Sequence, residues 1–145
     1  MKIPFVDNWR KKHGATAVAV FSPDGADAEG VAELLSECEL LRAQAEQSGV
    51  ELDDSVRSLE ALDQLVPRWR EDEETLHWLG NDAGLYLGTV LVHRVPGAMW
   101  VIWPNGQPVV RLASGREIDV VEAGQEWAAS GAPELSRFYA EAAES

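Results

Sequence analysis

The most constraining feature of the sequence is a long helical pattern between Asp72 and Arg94 that contains evenly spaced glycines. Its apolar side chains recur at three- and four-residue steps and define one helix face: Leu76, Leu79, Ala83, Leu87, Val90 and Leu91. Gly80, Gly84 and Gly88 share one stripe, and each glycine weakens a helix by about 1 kcal/mol relative to alanine. We therefore predict a compensating gain, the close approach of another helix or of a sheet to this stripe.

After Val95-Pro96-Gly97 the apolar period changes from helical to two. Met99, Val101 and Trp103 alternate with Trp100 and Ile102, and Pro104-Asn105-Gly106-Gln107 has the composition of a hairpin loop. A return strand over 108–112, a turn at Ser114-Gly115 and a strand over 116–120 follow. This spacing predicts a three-stranded antiparallel meander at about residues 98–120. Helices carrying Trp127 and beginning at Pro133 are predicted after it.

Two more helices are predicted before the glycine stripe. The first spans about 24–48 and buries one face: Val31, Leu34, Leu35, Cys38, Leu41 and Ala45. The second begins at Ser58 and ends at Pro67. Residues 15–21 fit a buried strand or an alanine-rich helix. Helices, a meander and a helix predict an α+β fold in a single domain over 1–145, with the helices packed on the sheet.

Acidic residues outnumber basic ones by 25 to 12 in this chain of 145 residues, which gives a formal charge of −13. Such a charge argues against binding to nucleic acid and to anionic membranes, because both need a surplus of Lys and Arg. The acidity is local, since residues 22–66 hold twelve carboxylates against only Arg42 and Arg57. Residues 1–14 are basic. The sequence thus predicts an acidic patch rather than a uniformly acidic surface.

The N-terminus has no signal-peptide pattern, and its longest apolar run, 15–21, is too short to span a bilayer. The lone cysteine, Cys38, excludes an internal disulfide framework. We therefore expect a cytoplasmic protein.

No motif for catalysis or for metal binding is present. His77 and His93 are too far apart on one helix to share a metal, and a single cysteine cannot anchor a zinc site. There is no nucleophile elbow and no phosphate-binding loop. We expect no metal, no cofactor and no enzymatic activity.

The six tryptophans are the least ordinary part of the composition. Trp100 and Trp103 have opposite parity on one strand, so they face opposite sides of the sheet. Burial in the core is the default prediction for tryptophans of this kind. The alternative is an outward Trp100 that forms a recognition face with Arg111 and Arg116, because Trp and Arg are favoured at interface centres.

Several segments resemble a family of small uncharacterised actinobacterial proteins of the Streptomyces type. They are the opening 3–14, the runs 58–63 and 78–88, and Trp103-Pro104-Asn105-Gly106-Gln107-Pro108-Val109-Val110. The resemblance covers most of the chain and implies a bacterial cytosolic protein built on a domain of unknown function. It implies no catalytic residues.

These features favour a non-enzymatic acidic module that binds a basic protein partner, as an immunity-type protein neutralises a toxin nuclease. A small-molecule binder or enzyme is the alternative, with a pocket between the glycine-striped helix and the meander. Its polar groups would be His77, Asn81, Asp82 and Tyr86. Homo-oligomerisation through an exposed sheet face or edge is a third possibility.

Overall fold

The computed structural model describes residues 19–20 and 35–144. Its described elements, in chain order, are β1 Ala19–Val20, α1 Glu39–Gln47, α2 Val56–Trp69, α3 Glu73–Arg94, β2 Met99–Ile102, β3 Pro108–Arg111, β4 Glu117–Ile118, α4 Val120–Ser130 and α5 Leu135–Ala143. The predicted α+β class is confirmed. No helix in the described ranges, α3 included, combines the length and the apolar character needed to cross a membrane.

The predicted meander is confirmed, and β1 extends it to an antiparallel sheet of order β1-β2-β3-β4. Trp100 lies opposite Val110 on the face that joins the helical core. Val101 lies opposite Val109 on the other face, and both are buried as well. Of residues 15–21 only two are described, and for these the strand interpretation is confirmed. The basic segment 1–14 lies outside the described residues.

The glycine stripe of α3 contacts α4 and β2, as predicted. A methyl group on Gly84 would lie 2.6 Å from the Cα of Val121, and one on Gly80 would lie 2.8 Å from the Cα of Gln125. At Gly88 the same methyl group would lie 2.9 Å from Cζ2 of Trp100. Separations under 3 Å exclude a side chain, so these glycines allow α4 and the Trp100 indole to pack on the α3 backbone.

The end of the meander differs from the prediction, because β4 stops at Ile118 and Val120 already belongs to α4. Asp119 is the reason: its carboxylate accepts the Glu122 N–H at 3.1 Å and so begins a helix. Two helices, α4 and α5, follow the sheet.

The prediction of one continuous helix over 24–48 is wrong at residues 36–38, which are not helical. Cys38 has a φ of 43°, in the left-handed region, and α1 begins only at Glu39. The predicted buried stripe is nevertheless correct for Leu35, Cys38, Leu41 and Ala45. Val31 and Leu34 lie outside the described residues.

The predicted bounds of α2 are also wrong. Ser55, not Ser58, caps this helix, and its side chain accepts the Ser58 N–H. Pro67 lies inside the helix, which continues to Trp69, and Arg70 N–H donates to the Val66 carbonyl at 2.9 Å. A proline near the C-terminus of a helix removes only one N–H donor, and the remaining hydrogen bonds of the last turn still form around it.

Candidate functional site

The centre of the acidic region is Arg42, the only basic residue of α1, and its side chain is committed to the protein itself. Nε donates to the Glu37 carbonyl at 2.9 Å, and Nη1 donates to the Leu52 carbonyl at 2.8 Å. Nη2 donates to the Ser36 carbonyl at 2.9 Å and to Asp54 Oδ1 at 3.1 Å. Arg42 therefore joins the segments before and after α1.

Asp54 is the second part of this polar cluster. Its φ is 62°, and its Oδ2 lies 3.3 Å from Nδ1 of His93. The Asp54 carbonyl accepts from Nε of Arg94 at 3.0 Å, while its N–H donates to the Tyr86 hydroxyl at 2.8 Å. Asp54 thereby holds the loop between α1 and α2 against α3.

Tyr86 is fully buried beneath this loop. Its hydroxyl lies 2.6 Å from Oγ of Ser58, and the Arg42 guanidinium lies 5.2 Å from the centre of its ring. Burial raises the pKa of the Tyr86 hydroxyl, and hydrogen bonds from Ser58 and Asp54 oppose that shift in part. The neutral phenol is therefore favoured, and its contacts are those of a structural side chain.

The carboxylates around α1 point to solvent. The exposed ones among residues 35–54 are Glu37, Glu39, Glu46, Glu51 and Asp53. In the described part of the chain no Lys or Arg forms an ion pair with any of them. Nor does the last turn of α1 contain a basic residue. We name these five side chains the acidic surface.

A recess of about 480 Å³ opens beside the acidic surface. It is lined by Arg42, Glu46, Gly49, Val50, Glu51 and Leu52. Arg42 directs its N–H groups to carbonyls and to Asp54, so two carboxylates dominate the charge of this recess.

Asp82 contacts the opposite end of α1. Its carboxylate, on α3, accepts the Leu41 N–H at 3.2 Å, in the first turn of a helix whose own N-cap, Cys38, provides no side-chain acceptor. Burial is the main cause of a raised pKa at Asp82. The Cys38 thiol donates to the Asp82 carbonyl at 3.5 Å, and burial raises its pKa far above the ordinary range. Both groups are structural parts of the α1–α3 contact.

We expect Asp82→Asn to be at least as stable as the wild type near neutral pH, whereas Asp82→Ala loses about 1 kcal/mol. The asparagine oxygen still accepts the Leu41 N–H without a buried charge, while alanine leaves that donor unpaired. The pKa of Asp82 is raised in the folded state. At a pH between the ordinary carboxyl pKa and this raised pKa, the native protein therefore holds a proton that the unfolded chain has released. Wild-type stability should therefore fall as pH rises from the ordinary carboxyl range to the raised pKa, and then level off.

Urea titrations from acid to neutral pH measure this effect. The difference between Asp82→Asn and the wild type should grow across that window. Equal losses for the asparagine and alanine variants near neutral pH would contradict the proposed helix cap.

The four side chains assigned to a pocket between α3 and the meander have different neighbours. His77 is exposed near the start of α3, and Asp82 contacts α1. Asn81 is half-buried next to Asp82, and its Oδ1 has no hydrogen-bond partner among the described residues. The Tyr86 hydroxyl faces Asp54 and Ser58. Where α3 meets the sheet, the Trp100 indole packs directly against Gly88.

The alternative of an outward Trp100 is wrong, because only 3% of its surface is exposed, and the default prediction of a core tryptophan is confirmed for this residue. Trp103, three residues on, occupies the other face and donates from Nε1 to Glu117 Oε1 at 2.9 Å. Arg111 shares that face, with Nη2 2.6 Å from Glu117 Oε2. Arg116 is exposed in the turn before β4 and already takes part in an interaction. Trp100 and Trp103 therefore lie on opposite faces, as their parity predicts, and Trp100 takes the face that joins the core.

Glu117 is the acidic residue that joins Trp103 and Arg111 on this face. It faces Arg111 directly across the β3–β4 pair, and the hydrogen bonds from Arg111 and Trp103 lower its pKa. The hairpin register, which pairs Met99 with Arg111, places Arg111 on the face of Met99, Val101 and Trp103. Counting the strand register from the hairpin loop would therefore have placed Trp103, and not Trp100, on the same face as Arg111.

Metal binding finds no support in the geometry of the described ranges. No group of three or more His, Cys, Asp or Glu side chains within residues 19–20 and 35–144 is placed to hold a metal ion. His93 contacts Asp54 alone among acidic side chains in these ranges.

Comparison with known proteins identifies the family but no activity. No curated protein and no solved structure matches the chain. A family model described as a family of unknown function, DUF6278, matches residues 1–145, which is the whole chain. The chain therefore belongs to the DUF6278 family of unknown function.

Proposed function

We propose that this protein is a non-enzymatic interaction module that binds a basic protein partner through the acidic surface. One observation carries the proposal: Arg42, the only cation of α1, is turned to its own backbone and to Asp54. The chain thus leaves its exposed carboxylates without a counter-charge from this helix. A basic partner supplies that counter-charge.

The position of Glu46 adds to the electrostatic argument. It lies in the last turn of α1, where the helix dipole is negative and a carboxylate is unfavourable. Glu51 lines the same recess, which concentrates negative potential next to that helix end. Clefts lined by one sign of charge attract and steer oppositely charged partners.

A bacterial, actinobacterial origin and a cytoplasmic location form part of this proposal. The resemblance described above supports the origin. The single cysteine, buried with its thiol against the Asp82 carbonyl, is compatible with a reducing compartment.

Affinity capture with a matched pair of variants tests the proposal. The first variant replaces Glu37, Glu39, Glu46 and Glu51 by glutamine, and the control replaces Glu71, Glu126, Glu134 and Glu144, which are exposed elsewhere. We expect the wild type and the control to retain basic proteins from a bacterial lysate at about 50 mM salt and to release them at about 500 mM, because salt screens exposed charges. The first variant should retain at least about tenfold less, since four charge contacts are lost.

Mass spectrometry of the bound fraction provides the readout, and thermal unfolding shows that all variants are folded. Equal retention by the two variants, or retention that is insensitive to salt, would refute binding through the acidic surface.

A further inference from the structure

We propose that the outer face of α1 is the docking surface for a basic amphipathic helix of the partner, with Leu40 as the apolar anchor. This inference rests on the proposed function and names the surface and the chemistry of its occupant. It requires an exposed apolar residue, a charge pattern that a helix can match, and a reason to prefer a foreign helix to a second copy of this chain.

Leu40 provides the exposed apolar residue. Its exposed fraction is 53%, and only Leu76, at 37%, is another exposed large hydrophobic side chain in the described ranges. The neighbouring Leu41 and Ala45 are fully buried on the inner face of α1. The amphipathic pattern of α1 therefore does not account for a leucine on its outer face.

The charge pattern around Leu40 has helical spacing. Glu39 and Glu46 are seven residues apart, so they lie on one stripe of α1 about 10 Å apart along its axis. Ala43 and Gln47 are exposed between this stripe and Leu40, and the small Ala43 side chain permits close approach of another helix. A partner helix with basic residues one heptad apart matches the two carboxylates while its apolar side covers Leu40.

A second copy of this chain fits the surface poorly. Self-association through α1 would place Glu39 and Glu46 of one copy near the same residues of the other, and like charges at an interface disfavour association. Arg42 offers no relief, because its guanidinium donates to carbonyls and to Asp54. Charge complementarity therefore selects a basic partner.

Fluorescence anisotropy with two synthetic peptides tests this inference on the full-length protein. The first probe is a helix of about three heptads with leucines on one face and lysines at heptad spacing on the flank. The second has the same composition in scrambled order, so that it keeps the charge and loses the apolar face. We expect the amphipathic probe to bind at least about tenfold more tightly than the scrambled one, as burial of an exposed leucine allows.

Variants locate the contact on α1. Leu40→Ser and the pair Glu39→Gln with Glu46→Gln should each weaken binding of the amphipathic probe about tenfold. Leu76→Ser is the matched control, because it removes the other exposed leucine, and it should bind as the wild type does. All the substituted side chains are exposed, so the variants should fold, and circular dichroism verifies this.

The possible failures are distinguishable. Equal binding of both probes would show binding by charge alone. An unchanged affinity of Leu40→Ser would show that Leu40 is not the anchor. Either result would overturn the docking surface and leave the proposed acidic module intact. Lysate capture gives a second check. If the Leu40→Ser and Leu76→Ser variants retain the same basic protein equally well, the docking surface is again refuted. If no basic protein or peptide binds at low salt, both the inference and the proposed function fail.

Discussion

Replacing Gly84 by alanine should lower the free energy of unfolding by about 3 kcal/mol, the upper part of the range for overpacking a core. Helix propensity alone predicts the opposite sign, a gain of about 1 kcal/mol for alanine within a helix. Packing outweighs propensity here because the new methyl group would overlap the Val120 carbonyl oxygen and lie 2.6 Å from the Cα of Val121. Both obstacles are backbone atoms, which cannot rotate away as a flexible side chain can.

Gly124 on α4 is the counterpart of Gly84 and gives the same expectation. A methyl group on Gly124 would lie 2.7 Å from the Cα of Gly84, so the two helices contact each other backbone to backbone. Gly124→Ala should therefore be destabilised by an amount similar to Gly84→Ala. The two changes together should cost less than their sum, since one separation of α3 from α4 accommodates both.

Urea and thermal unfolding measure these effects, and a loss of this size lowers Tm by about 10 °C. Gly115→Ala is the control, because nothing lies within 4 Å of its added methyl group. Its positive φ of 94° leaves only a backbone penalty of about 1 kcal/mol. A Gly84→Ala protein as stable as the wild type would disprove the close approach of α3 and α4.

Replacing Asp63 by alanine is the second change with a large expected effect, a loss of about 3 kcal/mol from a helix cap and a buried indole N–H left unpaired. Oδ1 accepts from Nε1 of Trp127 at 2.9 Å and from the Leu135 N–H at 2.7 Å. Oδ2 accepts from the Ser136 N–H at 3.2 Å and from its hydroxyl at 2.6 Å. One carboxylate of α2 thus fixes the core tryptophan and the first turn of α5.

Asp63→Asn separates the hydrogen bonding of this carboxylate from its packing. Donors lie against both oxygens, so either orientation of the amide places its NH2 group against another N–H donor. We expect an intermediate loss of about 1.5 kcal/mol. Glu60→Gln, an exposed change on the same helix, is the control and should leave stability unchanged.

Chemical unfolding followed by tryptophan fluorescence measures the stability losses of Asp63→Ala and Asp63→Asn. Trp127 reports on the site because it is fully buried and its indole N–H contacts Asp63 directly. The emission of Asp63→Ala should shift before the global transition if α5 detaches first. Stability of the alanine variant equal to that of Glu60→Gln would show that Asp63 does not hold α5.

The fold elements with a strong local signal were predictable from the sequence. The extent of α3 follows from its apolar period and from Asp72, whose carboxylate accepts the Glu74 N–H as a cap. The hairpins follow from the change to period two and from the turn residues at 104–107 and 114–115. The glycine spacing also indicated a close contact, although it did not identify α4 as the partner.

The errors in the prediction arose where a distant group overrides a local pattern. The apolar stripe continues through Cys38, yet residues 36–38 are not helical, and Arg42 and Asp82 pair with backbone groups on either side of Cys38. Trp100 and Trp103 are equally apolar, so parity separated their faces without showing which face meets α3. Pro67 has a local signal for termination that the packing of Trp69 in the core overrides.

The candidate surface was predictable in its charge and not in its geometry. The excess of carboxylates over 22–66 is a property of composition and needs no structure. That Arg42 turns inward, and so leaves Glu39 and Glu46 without an ion pair among the described residues, depends on carbonyls from residues 36, 37 and 52. No local pattern places those carbonyls around one guanidinium.

The sequence by itself determined the α+β class, the long glycine-striped helix, the meander and the location of the acidity, because periodicity, turn chemistry and charge act over a few residues. Tertiary structure alone decided which face of the sheet takes Trp100, where α1 begins, and which distant side chains cap α1 and α5. Those outcomes depend on groups far apart in the chain, such as Asp82 with Leu41 and Asp63 with Leu135. They are decided by the need to pair every buried donor once the core has packed.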